Sequence, residues 1–445
     1  MVQQKETYDA DVIVVGGGLA GLTAAREVTR RGLTALVVEA RDRVGGRAWL
    51  KRDALAGHAL EMGGAWFDPS ETFAWAEIQR YRLPVTRGVV ADWPNAWLKD
   101  GTLHRSSLPV DWRELASLER LAFEMNLAAR RIDLARPLAE QSLEDLDIPL
   151  DAFLARQPMQ PETRAIAEVF LRAYGSGPAP LISTLHLLRR AAAAGGMVGF
   201  VTSGSGYRLQ GGTAALVDAL AADCGAPLRL SQPVRSIRQD AGGVTLATAD
   251  GRLRARAAVI AVPMNALKRI AFDPPLSREK LALSTEELGC IGFKVWMLVR
   301  DAPTDLFACG AGSGIDWLSS EGGGTKEGAL MVGYGCDADA LDVSDRRAVE
   351  RAVRSFLTEA EVIDHVAHDW RHDPYAGETW AVFRPGQVIR AERALRQAEG
   401  RLHFAGSHSA TRWVGFMDGA IESGIRAGAE TVAALREAQS AVGSR

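Results

Sequence analysis

The hydrophobic pattern of the chain is sharpest near its start. Val12-Ile13-Val14-Val15 is a continuous apolar run that enters Gly16-Gly17-Gly18. An amphipathic stretch follows to Gly32, and a second apolar run, Ala35-Leu36-Val37-Val38, ends on Glu39. Apolar runs bounded by glycine turns predict strands buried on both faces, and the helical period between them predicts a strand–helix–strand unit. From residue 112 to about 196 the pattern turns mainly helical. A helix start is expected at Ser142-Leu143-Glu144-Asp145, with punctuation at Pro149 and Pro161. Further on, a helix is expected from Thr213 towards Ala222, alternating strands across Asp250-Gly251, and a continuous apolar strand at Val259-Ile260-Ala261-Val262. Residues 291–299 read as a strand apolar on both faces, 345–361 as an amphipathic surface helix, and 402–407 as a returning strand and turn. The last helix opens near Met417 with an inward stripe at Ile421, Ile425, Ala429, Val432 and Leu435.

This order implies an α/β fold whose first domain is interrupted and then resumed. A Rossmann-type domain is expected from residues 1–80, 200–270 and 390–445, with an inserted α+β substrate domain from 81–199 and 271–389. A chain of 445 residues is long enough for both, and 47% hydrophobic with 24% charged residues is globular composition. Lys and Arg number 52 against 55 Asp and Glu, which leaves no electrostatic footprint for nucleic acid or an anionic membrane. Residues 1–10 are polar and lack a signal-peptide core. Cys224, Cys290, Cys309 and Cys336 form no CxxC, so reduced thiols in a cytoplasm are expected. Cys309 to Gly314 and Gly322 to Gly324 read as glycine-rich loops. His365, His368 and His372 lie on strand and loop, where their spacings do not share a face, so no metal site is expected.

The first glycines carry a mechanical reading. Gly16 permits the tight turn, Gly18 lets backbone approach a pyrophosphate, and Gly21 lets helix and strand pack closely. The helix N-terminus offers free N–H groups to phosphate, and Glu39 can accept both ribose hydroxyls. A lone glycine motif is weak. Strand before, helix after and acid on time make this a dinucleotide site. Directly behind it, Gly45-Gly46-Arg47 supplies a second loop and a guanidinium suited to the same pyrophosphate.

Glu39-Ala40-Arg41 with Gly45-Gly46-Arg47 resembles the opening of the flavin-containing amine oxidases, the monoamine oxidase group. His58-Ala59-Leu60-Glu61-Met62-Gly63-Gly64-Ala65-Trp66 resembles the family's second signature, and Trp413-Val414-Gly415-Phe416-Met417 its C-terminal one. The stretches at 143–150, Pro263-Met264-Asn265 and Thr379-Trp380-Ala381 resemble most the bacterial 6-hydroxy-L-nicotine oxidases. This resemblance implies FAD contacts by Gly16, Gly18, Ala20, Gly21, Glu39, Ala40, Arg41, Gly46 and Arg47. It extends them to Gly64, Ala65, Trp66, Val234, Gly406, Ser407, Trp413, Phe416 and Met417. Thr379 stands where covalent members carry a flavin-linking cysteine, which implies non-covalent FAD. Trp380 and Phe416 match the walls of an aromatic cage for substrate, and Tyr174 is a further candidate lining residue. Many relatives place an acid in the turn after Phe404-Ala405-Gly406, where this chain has Ser407-His408-Ser409.

Lys294 is the sole charge in its apolar strand. It either snorkels to solvent from the strand end or is held for a purpose. The resemblance implies the second, a catalytic lysine near flavin N5 acting through a water. The reaction implied is oxidation of an amine, of secondary cyclic or alkaloid type, to an imine with dioxygen reduced to peroxide. Primary monoamines or polyamines are the alternative substrates. A nicotinamide-linked dehydrogenase, a desaturase-type flavoprotein or a non-catalytic scaffold would share the glycine motif but not Lys294 with the Trp380/Phe416 pair. The expected partners are a small-molecule amine and dioxygen, without nucleic acid or membrane, with a homodimer as the candidate assembly.

Overall fold

The first strand, Ala10–Val15, lies between two parallel neighbours, as its unbroken apolar run requires. One is Ala35–Val38 and the other is the far half of Gly251–Ile260. Val12 and Val14 pack on one side of the sheet and Ile13 and Val15 on the other, so both faces are covered. The computed structural model describes residues 8–87, 94–203, 206–321 and 325–443. The expected loop at Gly322 to Gly324 lies outside these residues.

Gly251–Ile260 is a single long strand where a hairpin arm and a separate buried strand were expected. Its first half alternates exposed and buried positions and pairs antiparallel with Gly243–Thr248. Its last four residues are all buried, and its second half pairs parallel with the first strand and with Leu402–Phe404. The change of burial along one strand marks where a hairpin becomes the centre of a parallel sheet. Ser236–Asp240 and Ala271–Asp273 extend this sheet at one edge and Leu228–Arg229 at the other.

A second, mostly antiparallel sheet runs in the order Glu361–Ala367, Phe293–Arg300, Ala329–Gly335, Trp317–Ser320, Phe307–Gly310, Ala96–Lys99 and Thr102–Arg105. Phe293, Val295, Met297 and Val299 face a core shared with the helix Arg346–Arg354. Trp296 and Leu298 face the other way, onto Met62 and Trp370. Lys294 belongs to this second face by the two-residue period of a strand. Helices between residues 115 and 202 build a separate apolar core that also takes in Phe383, Val388 and Val414.

Several expectations shift. The domain boundaries at 199/200 and 389/390 fall inside the helices Met197–Thr202 and Val388–Arg396, and the first sheet runs on to Asp273, past 270. Ser142 to Asp145 start no α-helix. A single turn at Glu144–Leu146 forms, Arg131 pairs with Asp145, and the next helix begins at Leu150, after Pro149. Pro161 does open a helix, at its first position. The surface helix ends at Arg354, because Val362 pairs with Val299 in the second sheet. Cys309 and Gly310 are strand residues.

The C-terminal helix Met417–Gly443 lies against Leu19–Arg30. A Cβ on Gly424 would sit 2.4 Å from the Ala20 carbonyl, and one on Gly428 would sit 2.7 Å from the Glu27 Cβ. The crossing is therefore made on glycines. Ile421, Val432 and Leu435 are buried as expected, whereas Ile425 and Ala429 are half-exposed flanks of that contact.

Candidate active site

The cofactor cradle is built from backbone. Gly16 has φ +106°, and a Cβ there would meet the Ala261 carbonyl at 2.6 Å, so the turn at the strand end requires glycine. Gly18 precedes the helix Leu19–Arg30, which has no side-chain cap and no acid in its first turn, leaving its N–H groups to a ligand. Glu39 is buried at the end of the second strand. Its carboxylate accepts from the Gly17 amide at 2.6 Å and the Arg41 amide at 2.8 Å, so it first of all shapes the turn. The second loop docks onto the first through the Gly45 amide and the Gly17 carbonyl, at 2.8 Å.

Arg47 is held from behind. Its Nη1 donates to Glu378 Oε1 at 2.6 Å and to the Thr379 carbonyl at 3.3 Å. Arg41 reaches Asp373, whose carboxyl is held well below its usual range by His368 and Arg41 against the desolvation that raises it. Gly64 touches Met417, where a Cβ would lie 3.3 Å from the sulfur. The N-terminus of the C-terminal helix thus reaches the same space.

That space is one cavity of about 610 Å³. Gly16, Gly18, Ala20, Glu39, Ala40 and Arg41 line one end with Val234. Gly46, Arg47, Gly406 and Ser407 follow, then Gly64, Ala65, Trp66 and Met417. Trp380, Phe416, Tyr174 and Lys294 line the far end, so nearly all the expected site residues converge. Gly21 and Trp413 do not line it. Gly21 packs on the Gly16 carbonyl, and Trp413 is buried, its indole N–H donating to the Ser70 carbonyl at 3.1 Å and its ring edge-on to Phe416.

At the far end Lys294, Tyr334 and Trp317 form one row across three strands, since Tyr334 is the register partner of both. Lys294 does not snorkel outward. Its Nζ donates to the Gly63 carbonyl at 2.5 Å and the Glu61 carbonyl at 3.2 Å, and sits 5.3 Å from the Trp66 ring centre. Its remaining surface faces the cavity, and desolvation lowers its pKa to about 8 although Glu61 opposes the shift. Gly415, at φ +88°, turns the chain against Ala381 and Trp380 immediately before Phe416.

A flavin-containing amine oxidoreductase family model matches residues 19–432. The chain belongs to that family. This amine oxidoreductase is 33% identical to the nicotine dehydrogenase of Pseudomonas putida, over 96% of its own length and 89% of the relative's. It is 31% identical to the (S)-6-hydroxynicotine oxidase of Paenarthrobacter nicotinovorans, over 93% of its own length and 97% of the relative's. Putrescine oxidase solved with putrescine bound superposes with a TM-score of 0.83, at 27% identity, over 95% of this chain and 99% of that one. Family membership makes it a flavin-dependent oxidoreductase, and the glycine cradle, the uncapped helix and the buried Glu39 fit such a cofactor. Among the described residues no helix of the oxidoreductase is long and apolar enough to cross a membrane.

Sequence reasoning missed four site residues of this oxidoreductase. Glu378, wholly buried, accepts from Arg47 and from the Asn265 amide at 3.0 Å. Glu61 binds the Thr213 amide and hydroxyl at 2.5 and 2.7 Å and so caps the helix Thr213–Asp223. Tyr334 brings a buried hydroxyl with no partner among the described residues. Arg190, from the helix Thr184–Ala193, enters the aromatic end of the cavity. Glu61 lies inside the 58–66 motif and Glu378 directly before Thr379, but nothing local marks a carboxylate as buried. The others lie in stretches where only register and packing single them out.

Proposed function

We propose that the protein binds FAD without a covalent link and oxidises an amine of secondary cyclic or alkaloid type to an imine, with dioxygen as acceptor. The observation that carries this reading is the continuity of the glycine cradle with an aromatic-walled chamber around Trp380 and Phe416. A bound flavin would supply the two-electron chemistry that takes the amine to the imine, with the electrons passed on to dioxygen to give hydrogen peroxide. The imine is then hydrolysed by water.

The chain's own residues bind, orient and keep the site dry. Gly16, Gly18 and the helix at Leu19 would hold the pyrophosphate with Arg47, and Glu39 would accept from the ribose. Trp380 and Phe416 direct the C–H bond. An alkylamine of pKa about 10.4 is roughly one-thousandth neutral at pH 7.4, so an apolar chamber that favours the free base aids the reaction. Lys294 places a positive charge at the chamber wall, where it favours electron transfer to dioxygen.

The relatives named for nicotine and 6-hydroxynicotine support a compact, weakly charged amine. A polyamine reading meets an obstacle: Glu39, in the cradle, is the sole carboxylate among the described residues lining the cavity, while Arg190 and Lys294 bring positive charge. A distal ammonium would find no partner there. The four cysteines are buried and unpaired, which supports a reducing, cytoplasmic setting.

The test is direct. Purified protein is expected to be yellow, to bleach with a cyclic secondary amine without air, and to release peroxide when air is admitted. Acid precipitation is expected to leave the colour in the supernatant, because Thr379 offers no thiol. A colourless protein, or one unchanged by any amine, defeats the reading, and colour that stays with the pellet defeats non-covalent binding.

A further inference from the structure

Arg190 is a half-buried cation at the aromatic end of the cavity, without an ion-pair partner among the described residues. Its guanidinium lies 4.4 Å from the Tyr174 ring centre, 4.7 Å from that of Phe200 and 4.9 Å from that of Phe416. Nη2 donates to the carbonyls of Phe200 and Ser203 at 3.3 and 3.1 Å. Nε is buried and finds no acceptor among the described residues, and the buried hydroxyl of Ser203 is also unpartnered.

The acid that acts on this charge, Glu71, makes no ion pair with it. Glu71 is 1% exposed, and neither carboxyl oxygen has a partner among the described residues. Burial, with Asp418 and Asp68 nearby, pushes its carboxyl well above the usual range, although Arg190 opposes the shift. Burial lowers Arg190 to about 10, although Tyr174 and Glu71 oppose the shift. Carbonyls and ring faces solvate the guanidinium but leave its net charge and donors free, and an unsatisfied buried donor is costly. A fork of free N–H groups between aromatic walls is complementary to an oxygen acceptor, above all a carboxylate.

We propose that Arg190 is a specificity-determining residue that binds an oxygen acceptor of the substrate. The preferred substrate is then an amine that also bears a carboxylate or a carbonyl on a carbon other than the one oxidised. The inference rests on the amine oxidation proposed above and names its substrate class. The same cation disfavours an ammonium in the chamber, so one residue selects both for the acceptor and for the free base.

The experiment uses the flavin-loaded protein and a matched set of N-methylalkylamines ending in methyl, methyl ketone or carboxylate. Anaerobic flavin reduction gives the affinity and rate for each, independently of the electron acceptor. The oxygen-terminated amines are expected to be preferred over the methyl-terminated one by about tenfold or more, the scale of a hydrogen bond to a charged group. In Arg190→Met that preference should collapse, and in Arg190→Lys a weaker preference for the carboxylate should persist. Equal use of the three amines by the native protein, or an undiminished preference in Arg190→Met, overturns the proposal.

A second measurement needs no variant and no turnover. 4-Phenylbutanoate and 4-phenylbutan-1-ol are titrated against the native protein, with the flavin absorbance as readout. Tighter binding of the acid supports the Arg190 site even if no amine is oxidised, in which case only the oxidase reading falls. Equal binding, with amines oxidised normally, overturns the Arg190 site alone.

Discussion

Lys294 stands directly opposite Tyr334 across two antiparallel strands, with its ammonium 5.5 Å from the centre of the tyrosine ring. The lysine is turned onto the backbone of residues 61–63, so its charge is kept at the cavity wall.

Lys294→Met is therefore expected to slow reoxidation of the reduced enzyme by oxygen more than its anaerobic reduction by amine. The charge deleted would favour electron transfer to dioxygen, while the side-chain volume is nearly kept. Because the lysine titrates near pH 8, the native rate should fall towards that of the variant as pH rises through about 8. Stopped-flow traces of the two half-reactions separate the effects. An unchanged reoxidation rate would make Lys294 a packing residue.

Glu378 fixes Arg47 and the turn at Asn265 with one carboxylate. Glu378→Ala leaves a largely buried guanidinium and a buried amide without their acceptor, and should cost about 3 kcal/mol of stability. It should also weaken flavin retention. Glu378→Gln, which can still accept from one side, should lose less of both. Thermal unfolding and flavin titration of the apoprotein measure the two; flavin affinity equal to the native protein's in the alanine variant would detach Arg47 from the cofactor.

Trp380→Ala removes one wall of the chamber and leaves the cradle intact. Misplacement of a reacting bond by about 1 Å can cost roughly 100-fold in rate, so amine-dependent flavin reduction should fall on that scale while flavin content holds. Normal reduction kinetics in a flavin-replete variant would remove Trp380 from the site.

Glu71 and Asp418 make part of the protein's stability depend on pH. Both carboxyls are raised in the folded state by burial, Asp418 to about 6 and Glu71 well above its usual range. A carboxyl raised on folding contributes stability below its unfolded pKa of about 4, and loses it as pH rises through the folded value. Glu71→Gln keeps a neutral side chain at every pH. Its melting temperature should thus gain on that of the native protein from pH 5 to 8, and a constant difference would show that Glu71 does not titrate there.

Local chemistry made the cradle readable in advance. Gly16, Gly18, Gly45-Gly46 and Glu39 announce themselves because a turn, a close backbone approach and a ribose acceptor each demand a particular residue type at a particular spacing. The strand–helix–strand opening and the helix at Met417 were equally plain, since buried parallel strands and long amphipathic helices carry strong periodic signals. Lys294 was conspicuous as a lone charge among apolar residues.

What the tertiary structure alone decided is which distant groups share a space. The stripe of the last helix shifted onto Gly424 and Gly428 because the neighbouring helix approaches as closely as its backbone allows, and glycine has no apolar signature to read. Glu378 meets Arg47 across 331 positions, and Glu61 meets Thr213 across 152. Arg190 is one of two adjacent arginines on an alanine- and leucine-rich helix, the other bonded to the carbonyls of Ala410 and Thr411. Their side chains leave the helix about 100° apart, and only the packing of that helix against the aromatic residues decides which one enters the cavity.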